Sequence, residues 1–94
     1  MPFGPTTSTH ANVSASATEV TIFSAVTTAV EGRTVFNDST ATLYVKKGTG
    51  VTTSSHWVQV PPGGYLEFPQ PCYRGQVTGL WSAANGAART TEDA

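Results

Sequence analysis

The chain has 94 residues, of which 12% are charged, and a formal net charge of −1. That length holds one small domain at most. The near-neutral balance removes phosphate neutralisation as a route to nucleic acid and polybasic attraction as a route to a membrane surface, and no apolar run approaches the ~20 residues of a membrane helix. A single cysteine, Cys72, excludes an intramolecular disulfide and a cysteine zinc cluster. The chain is therefore expected to be made in a reducing cytoplasm or to be indifferent to redox. Threonine is the commonest residue, at 16 copies, while Leu, Ile, Val and Phe together number 18. So small an apolar share signals disorder only beside a high net charge, which is missing here. A domain of this size without a staple gains from oligomerising or from docking on a larger body.

Residues 1–17 hold two prolines, one glycine and a run of Ser, Thr and Ala without a period, and they are expected to form an extended N-terminal arm. The segment has neither a basic start nor an apolar stretch, so no secretory leader is expected there. Residues 18–94 are expected to form a single β domain. Val20 and Ile22 alternate with Thr21 and Phe23 in a first short strand. Ala25 to Val30 is open between a loop and a helical turn. Arg33 to Phe36 is strand-like and runs into Asn37-Asp38-Ser39-Thr40, whose side chains favour a turn. Ala41 to Lys47 is the clearest strand, with Leu43 and Val45 on one face and Tyr44 and Lys46 on the other. Gly48-Thr49-Gly50 closes it, and Val51 to Val60 predicts a long strand. Pro61-Pro62-Gly63-Gly64 is the strongest turn signal. Tyr65 to Phe68, Gln76 to Ser82 and Ala88 to Glu92 complete the set, with Asn85-Gly86 as a hairpin-type turn. Short strands at this spacing with no convincing helix predict an all-β fold, a small antiparallel β-sandwich or barrel.

The chemistry-bearing residues are few. Ser55 and His56 are adjacent, yet consecutive strand residues point to opposite faces, and no G-x-S-x-G elbow is present. Cys72 has only Arg74 as a local cation and fits a small buried hydrophobe better than a thiolate nucleophile. Asp38 and Glu67 are possible partners for glycoside chemistry, but nothing in the spacing singles them out and Asp38 is better explained as a turn former. His10 and His56 lie in different segments and the acids are scattered, so no metal site and no cofactor are expected. Gly48-Thr49-Gly50 lacks the strand-to-helix setting of a phosphate loop. The sequons at Asn12 and Asn37 carry little weight without a secretion signal. An enzyme is not expected.

The aromatics are the remaining resource. Most must be core in a chain so poor in leucine, and the exceptions should lie opposite aliphatic faces. Tyr44, Trp57 and either Trp81 or Leu80 are expected to be exposed, with Tyr44, Trp57 and Trp81 as the candidate interface anchors and Phe3 as the anchor of the arm. Asn85 and Arg89 join them as interface candidates. Arg89 can pair with Glu67 or Glu92, an exposed pair being worth only ~0–1 kcal/mol.

Three stretches in order carry a resemblance: Phe36 to Lys46 (FNDSTATLYVK), Gly64 to Pro69 (GYLEFP) and Thr78 to Glu92 (TGLWSAANGAARTTE). With their spacing they resemble small virion structural proteins of tailed bacteriophages, of the minor capsid, head-decoration and fibre-base kind, over roughly residues 19–92. The resemblance implies a β-sandwich or barrel without catalysis that binds and stabilises the assembled head as a homo-oligomer. The implied partners are the major capsid protein and copies of the chain itself, with no nucleic acid and no membrane. The implied location is the capsid surface of the virion after synthesis in the host cytoplasm. The alternative is a fibre- or tail-associated module that binds a host surface glycan, or a neck or tail component.

Overall fold

A computed structural model describes residues 7–94; the notional anchor Phe3 lies outside the described residues. Eight strands follow in chain order: β1 (Ser8–Ser14), β2 (Val20–Phe23), β3 (Gly32–Asp38), β4 (Leu43–Lys47), β5 (Val58–Val60), β6 (Tyr65–Glu67), β7 (Val77–Trp81) and β8 (Ala87–Asp93). They form two four-stranded antiparallel sheets, ordered β1-β8-β3-β6 and β2-β7-β4-β5. The fold is the expected all-β sandwich.

Alternation builds the core. Val35 and Ala88 point inward from the first sheet, and Leu43, Val45, Val60, Val77 and Trp81 from the second. Phe68, just beyond β6, closes the interior with edge contacts to Phe23 and Trp57, at centroid distances of 5.7 and 5.1 Å. Such edge-to-face pairs add about 0.5–1.5 kcal/mol beyond burial.

Three elements differ from the sequence reading. The arm expected over residues 1–17 is extended from Ser8 to Ser14, and there it pairs along its whole length with β8 of the same chain. Its weak apolar pattern hid it, because only Val13 reaches the core. The strand expected over residues 51–60 is reduced to Val58–Val60; the preceding residues form a loop with a turn at Thr52–Ser55. Ile22 and Phe23 were expected on opposite faces, yet both are buried. A bulge between Thr21 and Phe23 breaks the period of two.

Two polar residues on inward positions of β3 organise the interior, and neither was foreseen. The Arg33 side chain is fully buried. Its Nε donates to Glu92 Oε2 at 2.7 Å, Nη1 to the carbonyls of Tyr73 and Gly75 at 3.0 and 2.7 Å, and Nη2 to the carbonyl of Ser24 at 2.9 Å. The guanidinium also lies 4.8 Å from the Phe23 ring centroid. One planar fork therefore binds β8, the loop after β2 and the loop before β7.

Asn37 does the same at the other end of β3. Its Nδ2 donates to the carbonyls of Ala41, Val60 and Pro61 at 2.8, 2.9 and 3.1 Å. Its Oδ1 accepts from Ser39 Oγ at 2.8 Å and from Trp81 Nε1 at 3.0 Å. Its backbone N–H donates to the Gly64 carbonyl, and its carbonyl accepts from Gly63. Asn37 thus joins both sheets and two loops, β3–β4 and β5–β6. Among the described residues every buried side-chain nitrogen and oxygen has a partner, as a stable interior requires.

Candidate functional site

The outer face of the β1-β8-β3-β6 sheet follows from the register. Inward residues are odd-numbered on β1 and β3 and even-numbered on β6 and β8. The outward residues therefore align in rows across four strands. The first row is Asn12, Arg89, Phe36 and Tyr65; the next is His10, Thr91, Thr34 and Glu67. Phe36 is 39% exposed and Tyr65 64%, and they are the exposed large hydrophobic residues of the described chain. They sit directly opposite each other on adjacent strands. An aromatic pair in water beside planar amide and guanidinium groups is a typical recognition surface.

The polar part of the face is pre-arranged. Arg89 Nη2 lies 2.9 Å from Asp38 Oδ2, with both side chains about half exposed. Thr91 Oγ1 and His10 Nδ1 are 3.1 Å apart across the β1–β8 pair. Arg89 was expected to pair with Glu67 or Glu92. Asp38 takes it instead, because Glu92 faces the interior and binds Arg33.

The six residues named from sequence are not brought together. Phe3 lies outside the described residues. Trp81 is 1% exposed and hydrogen-bonded to Asn37, so it is a core residue and cannot be an exposed anchor. Trp57 is half-buried, with its edge on Phe68 and the Lys47 ammonium 4.1 Å from its ring centroid. Tyr44 lies on the outer face of the other sheet, also half-buried, with His56 at a centroid distance of 5.0 Å. Asn85 is exposed, but its Oδ1 accepts from Thr40 N and Oγ1 at 3.1 and 2.9 Å. It ties the β7–β8 turn to the β3–β4 turn. Arg89 alone sits on the aromatic face.

Phe36 and Tyr65 were missed as site residues. A usable signal lay in TYR-LEU-GLU alternation at 65–67: Tyr65 shares a face with Glu67, a carboxylate that belongs in water, while Leu66 faces the core.

Burial pushes the Cys72 thiol above its ordinary 9.0, partly countered by the nearby Arg33, so it is held as the thiol at neutral pH. His56 Nδ1 contacts the Thr52 carbonyl at 3.1 Å, within its own loop.

No family model matches the chain, and no curated protein or solved structure matches it either.

Proposed function

We propose that the chain is a structural component of a tailed-phage virion, a minor capsid or decoration protein that docks on the assembled head through the outer face of the β1-β8-β3-β6 sheet. The observation that carries this reading is the Phe36–Tyr65 pair, exposed side by side on adjacent strands of one sheet face. All three stretches that resemble phage virion proteins contribute to that face: Phe36 and Asp38 from the first, Tyr65 and Glu67 from the second, Arg89 and Thr91 from the third. The same stretches meet again around Asn37, Asn85 and Trp81. The domain works by binding energy without a reaction. Fully burying an aromatic side chain contributes about 1.5–3 kcal/mol, so one copy of this small face binds weakly. Many copies on one shell act together, and binding the native shell rather than its unfolded subunits stabilises the shell. The partners are the major capsid protein and further copies of the chain, on the capsid surface.

The test is co-sedimentation with purified heads of the encoding phage. The Phe36→Ser/Tyr65→Ser variant should bind at least about tenfold more weakly while melting near the wild type. Unchanged binding by the folded variant would overturn the docking face.

A second reading rests on the same row. Tyr65 and Phe36 flanked by Arg89 and Asn12 also form a platform on which a host surface glycan can stack and hydrogen-bond. Tyr65-dependent binding on a glycan array, with no binding to heads, would favour it.

A further inference from the structure

The two sheets have four edges, and three of them are blunted. β5 and β6 are three residues each, and prolines at positions 61, 62 and 69 flank them. β2 has four residues and carries a bulge. Short length, proline and bulges are the usual protections against strand addition. β1 has none of them. It is seven residues long, Ser8 to Ser14, with no proline, no bulge and no Lys, Arg, Asp or Glu.

The hydrogen-bond parity shows which backbone groups this edge offers. Thr7 and Ala94 exchange both bonds, Thr7 N to Ala94 O at 3.0 Å and Ala94 N to Thr7 O at 2.8 Å, and Ala15 N donates to Gly86 O. Antiparallel alternation then turns Thr9, Ala11 and Val13 toward β8 and leaves the N–H and C=O groups of Ser8, His10, Asn12 and Ser14 pointing outward. A groove of about 270 Å³ runs beside the strand between the two sheets. Thr9, Ala11 and Thr90 form one wall, and Ile22, Phe23 and Val26 the other.

We propose that β1 pairs with β1 of a second copy, antiparallel about a two-fold axis at Ala11. In that register Ser8 faces Ser14 and His10 faces Asn12 across the axis, so every outward backbone group on both strands finds a partner. Thr9 faces Val13, and these inward side chains close over the adjoining grooves. The strand carries no Lys, Arg, Asp or Glu, so self-pairing brings no fixed like charges together, which is what selects a second copy over a charged partner segment. The result is an eight-stranded continuous sheet with an isologous interface. Both aromatic faces then lie on one side, with the two Phe36 positions about 24 Å apart at ~4.8 Å per strand. The pairing uses the backbone groups of the β1 edge, whereas the aromatic face is made of side chains centred on Phe36 and Tyr65, so its test by dimerisation is separate from what that face binds.

The experiment is sedimentation of the full chain over a concentration series, with two kinds of variant. Wild type should move reversibly from the monomer mass of 9.8 kDa to twice that mass as concentration rises. Asn12→Pro removes an outward N–H and spares the β8 ladder, so it should keep the strand signature in circular dichroism and remain monomeric. Ala11 sits at a non-hydrogen-bonded pair on the axis, where the Cα separation of about 4.5 Å permits a disulfide. Ala11→Cys in a Cys72→Ser background should therefore cross-link on mild oxidation, while Thr9→Cys in that background should not, because it faces Val13. The proposal is overturned by a wild type that stays monomeric throughout, by a folded Asn12→Pro that still dimerises, or by Thr9→Cys cross-linking as readily as Ala11→Cys. If the proline variant fails to fold, the cysteine pair decides.

Discussion

Replacing Asn37 by Asp changes one NH₂ group to an oxygen and leaves shape and volume alone. The retained Oδ1 still accepts from Trp81 and Ser39, so the substitution isolates the donor half of the hub. That half holds three carbonyls, those of Ala41, Val60 and Pro61, with two N–H groups. Asn37 is fully buried, so water does not replace the lost donors. Two lost buried bonds at about 1–3 kcal/mol each, together with an oxygen forced against carbonyl oxygens, give a loss of about 3–5 kcal/mol at neutral pH. For a domain near 100 residues this lowers Tm by roughly 15–30 °C, a large part of a total stability of about 5–15 kcal/mol. The sign of the pH dependence follows from the same geometry. A buried carboxyl facing carbonyls ionises less readily in the fold than in the unfolded chain. The deficit is therefore smallest below the ordinary aspartate range, where the neutral acid donates to one carbonyl, and it grows as pH rises and the unfolded chain releases its proton. Urea titrations of wild type and Asn37→Asp at pH 4 and pH 7, followed by tryptophan fluorescence, measure both quantities. A loss below about 1 kcal/mol, or a deficit that is equal at the two pH values, would refute the role assigned to Asn37.

Arg33→Met keeps most of the volume but strips Glu92 and the carbonyls of Ser24, Tyr73 and Gly75 of their donor; it should cost about 3–5 kcal/mol, read by urea denaturation, and a near-neutral result would mean the loops hold without the guanidinium. Gly86 has φ +84°, and a Cβ there would meet the Asp38 carbonyl and, at 2.6 Å, Ser39 Cβ; Gly86→Ala should lower stability by about 1–3 kcal/mol, checked by thermal melts, whereas a tolerated Ala would contradict the turn geometry. Cys72, with its thiol raised by burial, should react with iodoacetamide at pH 8 more slowly than the urea-unfolded chain. Because the folded state holds this proton to higher pH, the group's contribution to stability is full below the ordinary thiol range and falls as pH rises through it; equal alkylation rates in the two states would remove the burial effect.

What could be read from sequence was what alternation and turn chemistry write down. Leu43 and Val45 against Tyr44 and Lys46 and the Pro61–Gly64 turn sit where the pattern puts them; Asn85–Gly86 does turn the chain, but it carries it from one sheet to the other instead of closing the expected hairpin, because β7 and β8 lie in different sheets. β1 was illegible because its inward positions are Thr9, Ala11 and Val13, only one of them large, and its order comes from the β8 ladder. Phe23 was misplaced because a bulge leaves no mark in composition. Arg33 and Asn37 escaped because a polar residue in a strand defaults to the solvent face, and only the three-dimensional set of carbonyls around each makes burial favourable. Trp81 was offered as an anchor because its strand carries Leu80 on the opposite side; both faces of β7 are in fact covered. The aromatic face was half legible: Arg89 was named, while Phe36 and Tyr65 were absorbed into an assumed core.

The most direct measurement is cryo-EM of particles assembled from the genome that encodes the chain. The account predicts density on the outer surface of the head, with the β1-β8-β3-β6 sheet turned toward the shell and Phe36 and Tyr65 buried against the major capsid protein. Density confined to the neck, tail or fibre, density with that aromatic face in solvent, or absence from the particle would contradict it.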